Sequence, residues 1–139
     1  MFAAVPLLVL PVLIYNLIAL TLTGGFQSID AHARLTETLF TIHMTSQIDW
    51  AVSLGDLLLA ASLVVLFVEL LKSTTSRKIA IINHSLSMVL FIGCLVEFLL
   101  APAFATSIFF LITVMVLLDV LAGFIVTIVA ARRDVDFGE

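Results

Sequence analysis

The chain has 139 residues, of which 63% are hydrophobic and only 12% charged, and its mean hydropathy is +1.29. A soluble domain carries about twice that share of charge, so this chain lacks the residues to build a solvated skin. Its formal charge is −4 and it has no basic stripe, which argues against a nucleic-acid partner.

A bilayer-spanning helix needs about 20 mostly apolar residues. Four such runs take up most of positions 1–139, which read as a single transmembrane domain with no separate soluble part. The first run, Phe2 to Thr23, has no Lys or Arg before it and is long for the core of a secretory signal, so it reads as a retained span. Pro11 is expected to kink it, and Asn16 is its one strongly polar residue. Gly24 and Gly25 then read as a helix-ending turn.

Gly24 to Gln47 is the sizeable extramembrane segment. Ala31, Leu35, Leu39 and Ile42 recur at helical spacing, with Asp30 as N-cap, and predict a short amphipathic helix in the first periplasmic loop. The second run is Ile48 to Leu71, the third Ile79 to Ala101 and the fourth Ser107 to Ala131. The connections at Lys72 to Lys78 and Ala101 to Thr106 are short, so these three spans are sequential antiparallel neighbours. Thr106 or Ser107 is positioned to cap the fourth helix. The expected fold is therefore all-α: a polytopic, four-helix up-down transmembrane bundle.

Positive charge sets the orientation. Lys72, Arg77, Lys78, Arg132 and Arg133 are five of the six Lys and Arg, and they follow the second and fourth spans. Both termini are therefore expected on the cytoplasmic side, with these residues and Trp50 as interface anchors.

An ionisable side chain within a span costs several kcal/mol unless it is paired, hydrated or neutral, so each one is a candidate site residue. Asp56 lies on a seam with Asp49, Ser53 and Ala60. Asn83, Ser87, Leu90, Cys94 and Glu97 form a second seam, flanked by His84. Asp119, Gly123 and Thr127 form a third, with Asp119 near mid-span and too short to reach the surface. Turned toward one another, these seams would put Asp56, Asn83, His84, Glu97 and Asp119 in one buried polar set. Glu69 lies near the inner end beside Lys72 and is expected to snorkel to the interface.

Two uses of that interior follow. In one, the polar groups hydrogen-bond between helices and fix the packing. In the other, the carboxylates and His84 carry protons or cations. The apolar stretches Leu63 to Val68 and Met88 to Ile92 interrupt a conducting path, which favours packing. The lone Cys94 reads as a small buried hydrophobe. His84 is the only His within a span, which is too few for a haem held between spans, and His32 and His43 read as solvated surface residues. No nucleophile elbow, metal-protease motif or phosphate loop is present, so neither a metal, a cofactor nor an enzyme activity is expected.

Several phrases carry a resemblance: Trp50 with Gly55-Asp56, Phe67-Val68-Glu69 before Lys72, and Val96-Glu97-Phe98 before Pro102. Leu118-Asp119-Val120, Ala122-Gly123-Phe124 and Ala131-Arg132-Arg133-Asp134 complete the set. Over Gly24 to Asp134 the chain resembles a group of short, four-span inner-membrane proteins of alphaproteobacteria that carry no assigned activity. The likeness implies a bacterial inner membrane and brings no catalytic residues. The reading that follows is a non-enzymatic accessory or structural subunit, whose partners are the lipid bilayer and another membrane protein or a second copy of itself. The alternative is a small proton- or cation-coupled transporter or channel.

Overall fold

A computed structural model describes the backbone of residues 5–72 and 77–136 and, within these, the side chains of all but 77–79, 130 and 133–136. The expected start of the first span at Phe2 and the middle of the connection after Lys72 lie outside the described residues. The molecule is 72% helical. In chain order the elements are α1 (Val9–Thr21), α2 (Ala31–Thr36), β1 (Thr38–His43), β2 (Asp49–Ser53), α3 (Leu54–Lys72), α4 (Arg77–Leu100), a 3-10 turn (Pro102–Phe104) and α5 (Ser107–Asp136). Three stretches, Leu54–Lys72, Ala80–Leu100 and Ser107–Val129, are long and apolar enough to cross a membrane.

The fourth apolar helix is shorter than expected. At ~1.5 Å per residue, the 13 residues of α1 are about 20 Å long, against a hydrocarbon core of about 30 Å. The chain before it, from Pro6, is in tight turns, with Val9 N–H on the Pro6 carbonyl at 3.1 Å. Pro11 is therefore the third residue of the helix and not an interior one. First-turn N–H groups have no intrahelical acceptor, so the proline removes no bond and has no kink to cause. Gly24 and Gly25, at φ of 90° and 108°, end the segment, and the Gly25 N–H bonds the Ala19 carbonyl at 2.9 Å.

The loop that follows departs from the all-α expectation. Its helix stops at Thr36, and Thr38 to Ser53 form an antiparallel β-hairpin. Phe40 faces Val52 and Ile42 faces Trp50, with an irregularity at Leu39. The density of β-branched and aromatic residues there favours strands. Leu35 is buried, but Leu39 and Ile42, which the helical spacing aligned with it, are exposed. The second long helix consequently starts at Leu54 and not at Ile48.

The helices alternate in direction. Gly55 lies against Ile108, so α3 and α5 start at the same end, beside the hairpin. A Cβ on Gly55 would overlap the Ile108 side chain and come within 3.0 Å of the Leu35 carbonyl, so the close approach needs glycine. Helix α4 runs back along α5, which packs against both α3 and α4. Leu7 bonds to Glu69 near the end of α3, and Tyr15 bonds to Thr106 at the start of α5, so α1 is antiparallel to both. The core is centred on α5, where Ile108, Phe109, Ile112, Met115 and Val116 are buried.

Local capping explains the helix starts. Ser53 and Asp56 form a reciprocal box at the head of α3. The Asp56 N–H donates to Ser53 Oγ at 3.2 Å, and the Ser53 N–H donates to Asp56 Oδ2 at 2.9 Å. At α5, Thr106 Oγ1 accepts the Phe109 N–H at 3.1 Å.

Candidate functional site

The buried polar groups fall into three layers along the bundle. At the hairpin end, the Tyr15 hydroxyl donates to the Ala103 carbonyl at 2.9 Å and lies 2.6 Å from Thr106 Oγ1. Its ring sits 4.7 Å from that of Phe109 and 5.3 Å from that of Phe104, and Phe26 covers Phe104 from outside. Slightly deeper, Asn16 Nδ2 donates to the Val12 carbonyl at 3.1 Å and to Glu97 Oε2 at 3.3 Å, joining α1 to α4.

The middle layer is built by α4 and α5. Ser87 Oγ donates to Asp119 Oδ2 at 2.6 Å, and Asp119 is only 5% exposed. One helical turn away on each helix, the His84 ring packs on Gly123, where a Cβ would stand 2.6 Å from Nδ1. Any side chain at 123 would push the ring outward, so the glycine sets the distance between the helices here.

The third layer lies near the end of α3 and centres on Glu69, which is 0% exposed. Its Oε2 accepts the Leu7 N–H at 2.8 Å and pairs with Lys72 Nζ at 3.2 Å, while its Oε1 accepts from Asn83 Nδ2 at 2.6 Å. Lys72 Nζ also donates to the Val5 carbonyl at 2.7 Å. One carboxylate thus ties α3 to α4 and to the chain ahead of α1. The snorkelling expected of Glu69 does not occur. Glu69 continues the buried stripe Gly55, Leu58, Ser62 and Leu66, so its side chain points inward whatever its distance from the helix end.

No match was found among protein-family models, curated proteins or solved structures.

The five sequence-derived site residues do not form one set. Asn83, His84 and Asp119 come together, with Ser87, around a small cleft between α4 and α5. Glu97 is half-buried and belongs to the layer with Asn16, toward the hairpin. Asp56 is exposed and spent on capping Ser53, so it is not an interior acid. Of the anchors, Trp50 and Arg132 are exposed, Lys72 is held by Glu69 and Val5, and Arg77, Lys78 and Arg133 lie at helix ends beyond the described side chains. Sequence reasoning missed Glu69 and the Tyr15–Thr106 pair. The repeat of Gly55, Leu58, Ser62, Leu66 and Glu69 at intervals of three and four was the available signal for the first.

Chemically, the arrangement is a set of cross-braces. Among the described residues no three His, Cys, Asp or Glu gather as a metal site. Above Asp119, toward the hairpin, Ile112, Met115, Val116, Phe109, Phe104 and Tyr15 fill the interior.

Proposed function

We propose that the chain is a non-enzymatic, four-span protein of a bacterial inner membrane. It has both termini in the cytoplasm and serves as an accessory or structural subunit packed against a larger membrane complex. The observation that carries this reading is where the buried polar groups direct their hydrogen bonds. Glu69, Asn83, Ser87, Asp119, Asn16, Glu97, Tyr15 and Thr106 all bond from one chain segment to another. In hydrocarbon such bonds contribute about 0.6 to 2 kcal/mol each and fix which faces meet. The outer surface is apolar along the lengths of the helices, with Leu63, Val64, Phe67, Val89, Ile92, Leu99, Phe124 and Ile125 exposed. That surface suits lipid or the apolar face of another membrane protein.

The anchor points of α1 support a fourth crossing. Leu7 is held at the level of Glu69 and the Phe26 carbonyl accepts the Ala103 N–H at 3.1 Å, so the segment between them runs from one end of the bundle to the other. The positive charges after α3 and α5 support a cytoplasmic location for that Lys72 end. The hairpin then sits at the periplasmic interface, with Phe40, Ile42 and Trp50 on its apolar face. A reporter active only in the periplasm is expected to be active when inserted between Met44 and Ile48 and silent when fused after Glu139. The opposite pattern would invert the orientation.

The subunit reading is tested by extracting the protein from native membranes in mild detergent and weighing the particle. The expected result is a defined assembly with fixed stoichiometry. Recovery solely as a 15.1 kDa monomer would contradict it.

One observation favours the transporter reading. The cleft between α4 and α5 holds four polar side chains, Asn83, His84, Ser87 and Asp119. It does not continue, because the aromatic layer at Tyr15, Phe104 and Phe109 closes the hairpin half.

A further inference from the structure

The cleft is lined by Asn83, His84, Ser87 and Asp119, with Ala80, Gly123 and Val126 around them, and its volume of about 10 Å³ has room for one water-sized occupant. Its oxygen atoms all face it as acceptors. Asn83 is 6% exposed and its amide orientation is fixed, because Nδ2 must face the Glu69 carboxylate that it meets at 2.6 Å. The Asn83 Oδ1 is therefore an acceptor, and it is buried without a partner. Ser87 has one hydroxyl proton, which goes to Asp119 Oδ2 and leaves the oxygen's lone pairs open to the cleft. Asp119 brings a carboxylate. The His84 Nδ1, also buried without a partner, lies against Gly123 and closes the side. The oxygens therefore offer several acceptors and no proton to spare.

Three acceptor oxygens, one of them part of a carboxylate, suit a cation. α4 after Lys78 and α5 before Arg132 contain no Lys or Arg, so of the lining side chains His84 alone can carry a positive charge. Lys72 is already bonded to Glu69 and to the Val5 carbonyl. The ligands are hard oxygens, with no thiolate and with a single carboxylate, which suits a weakly charged hard ion and not a transition metal.

We propose that this cleft is a binding site for one small monovalent cation of the size of Na⁺, held by Asn83 Oδ1, the Asp119 carboxylate and Ser87 Oγ. The cation neutralises Asp119 and completes the brace between α4 and α5. This is a dead-end site, closed by the packed core toward the hairpin, and it does not depend on the subunit reading.

The test is the melting temperature of the purified protein, titrated with NaCl or with choline chloride at constant ionic strength. The expected result is a saturable rise in NaCl that choline does not reproduce. Calorimetric titration of the wild type with Na⁺ should saturate at one cation per chain. The Asp119→Asn variant keeps the shape and hydrogen-bonding capacity of the side chain and should lose the Na⁺-dependent rise. Identical curves in the two salts for the wild-type protein would overturn the proposal and assign the cleft to a water. An undiminished Na⁺ response in Asp119→Asn would overturn it equally. The wild-type comparison decides the matter even if the variant does not fold.

Discussion

Glu69→Leu is expected to destabilise the bundle by roughly 3 kcal/mol, the lower end of the 3–5 kcal/mol typical of breaking a buried ion pair. The substitution removes the acceptor for the Leu7 N–H and for Asn83 Nδ2 and takes one partner from Lys72. The lower end applies because the Lys72 side chain is 19% exposed and can rehydrate in part. Glu69→Gln keeps an acceptor oxygen and should lose only about 1 kcal/mol for each bond it weakens. The two variants separate charge from shape. Unfolding in mixed detergent micelles measures both, and a Leu variant as stable as the parent would remove Glu69 from its place as the hub of the third layer. Because Glu69 also holds the chain ahead of α1, the Leu variant should expose residues near Pro6 to protease before the rest of the bundle opens.

The second large effect is expected at Tyr15. It is fully buried, and it connects the short α1 to the connection between α4 and α5 through both its ring and its hydroxyl. Tyr15→Ala should cost about 3–5 kcal/mol, the range for truncating a large buried aromatic side chain. In a bilayer the exclusion of water contributes little between helices, so the loss comes from the cavity and from the contacts with Phe104 and Phe109. Tyr15→Phe keeps the ring and leaves Thr106 capping Phe109, so its loss should be about 1–2 kcal/mol. Thermal unfolding followed by circular dichroism distinguishes these. Equal effects of Ala and Phe would mean that the hydroxyl, and not the ring packing, holds α1.

What the sequence made legible divides by the kind of signal. The three long apolar helices follow from hydropathy alone, and the α4 stripe of Asn83, Ser87 and Cys94 follows from a three-four repeat, since all three are buried. Two expectations fail, one on where a helix starts and one on which face a residue occupies. Asp56 is expected inside because a helix starting at Ile48 would align it with Asp49, Ser53 and Ala60 on one inward seam. The helix starts at Leu54, so Asp56 is in its first turn, and Ser53-Leu54-Gly55-Asp56 is a capping box written openly in the sequence. Glu69 was placed at the surface because it is one turn from the helix end, although it continues the stripe through Leu58, Ser62 and Leu66.

The hairpin was less legible. Leu35, Leu39 and Ile42 satisfy helical spacing by coincidence, and Leu39-Phe40-Thr41-Ile42 is too short a run for periodicity to separate period 3.6 from period 2. The pairing with Trp50 and Val52, residues that were assigned to a span, is what decides the strand. The Tyr15–Thr106 bond joins residues 91 positions apart. It depends on how α1 docks, which no local pattern encodes.

The central claim is that the buried acids brace the helices and do not carry ions across the bilayer. Proton and Na⁺ flux through liposomes reconstituted with the purified chain, under an imposed membrane potential, tests it most directly. The aromatic layer at Tyr15, Phe104 and Phe109 closes the hairpin half, so flux is expected to match that of protein-free liposomes at every protein density. A flux that rises with the amount of wild-type protein and disappears in Asp119→Asn would contradict the account.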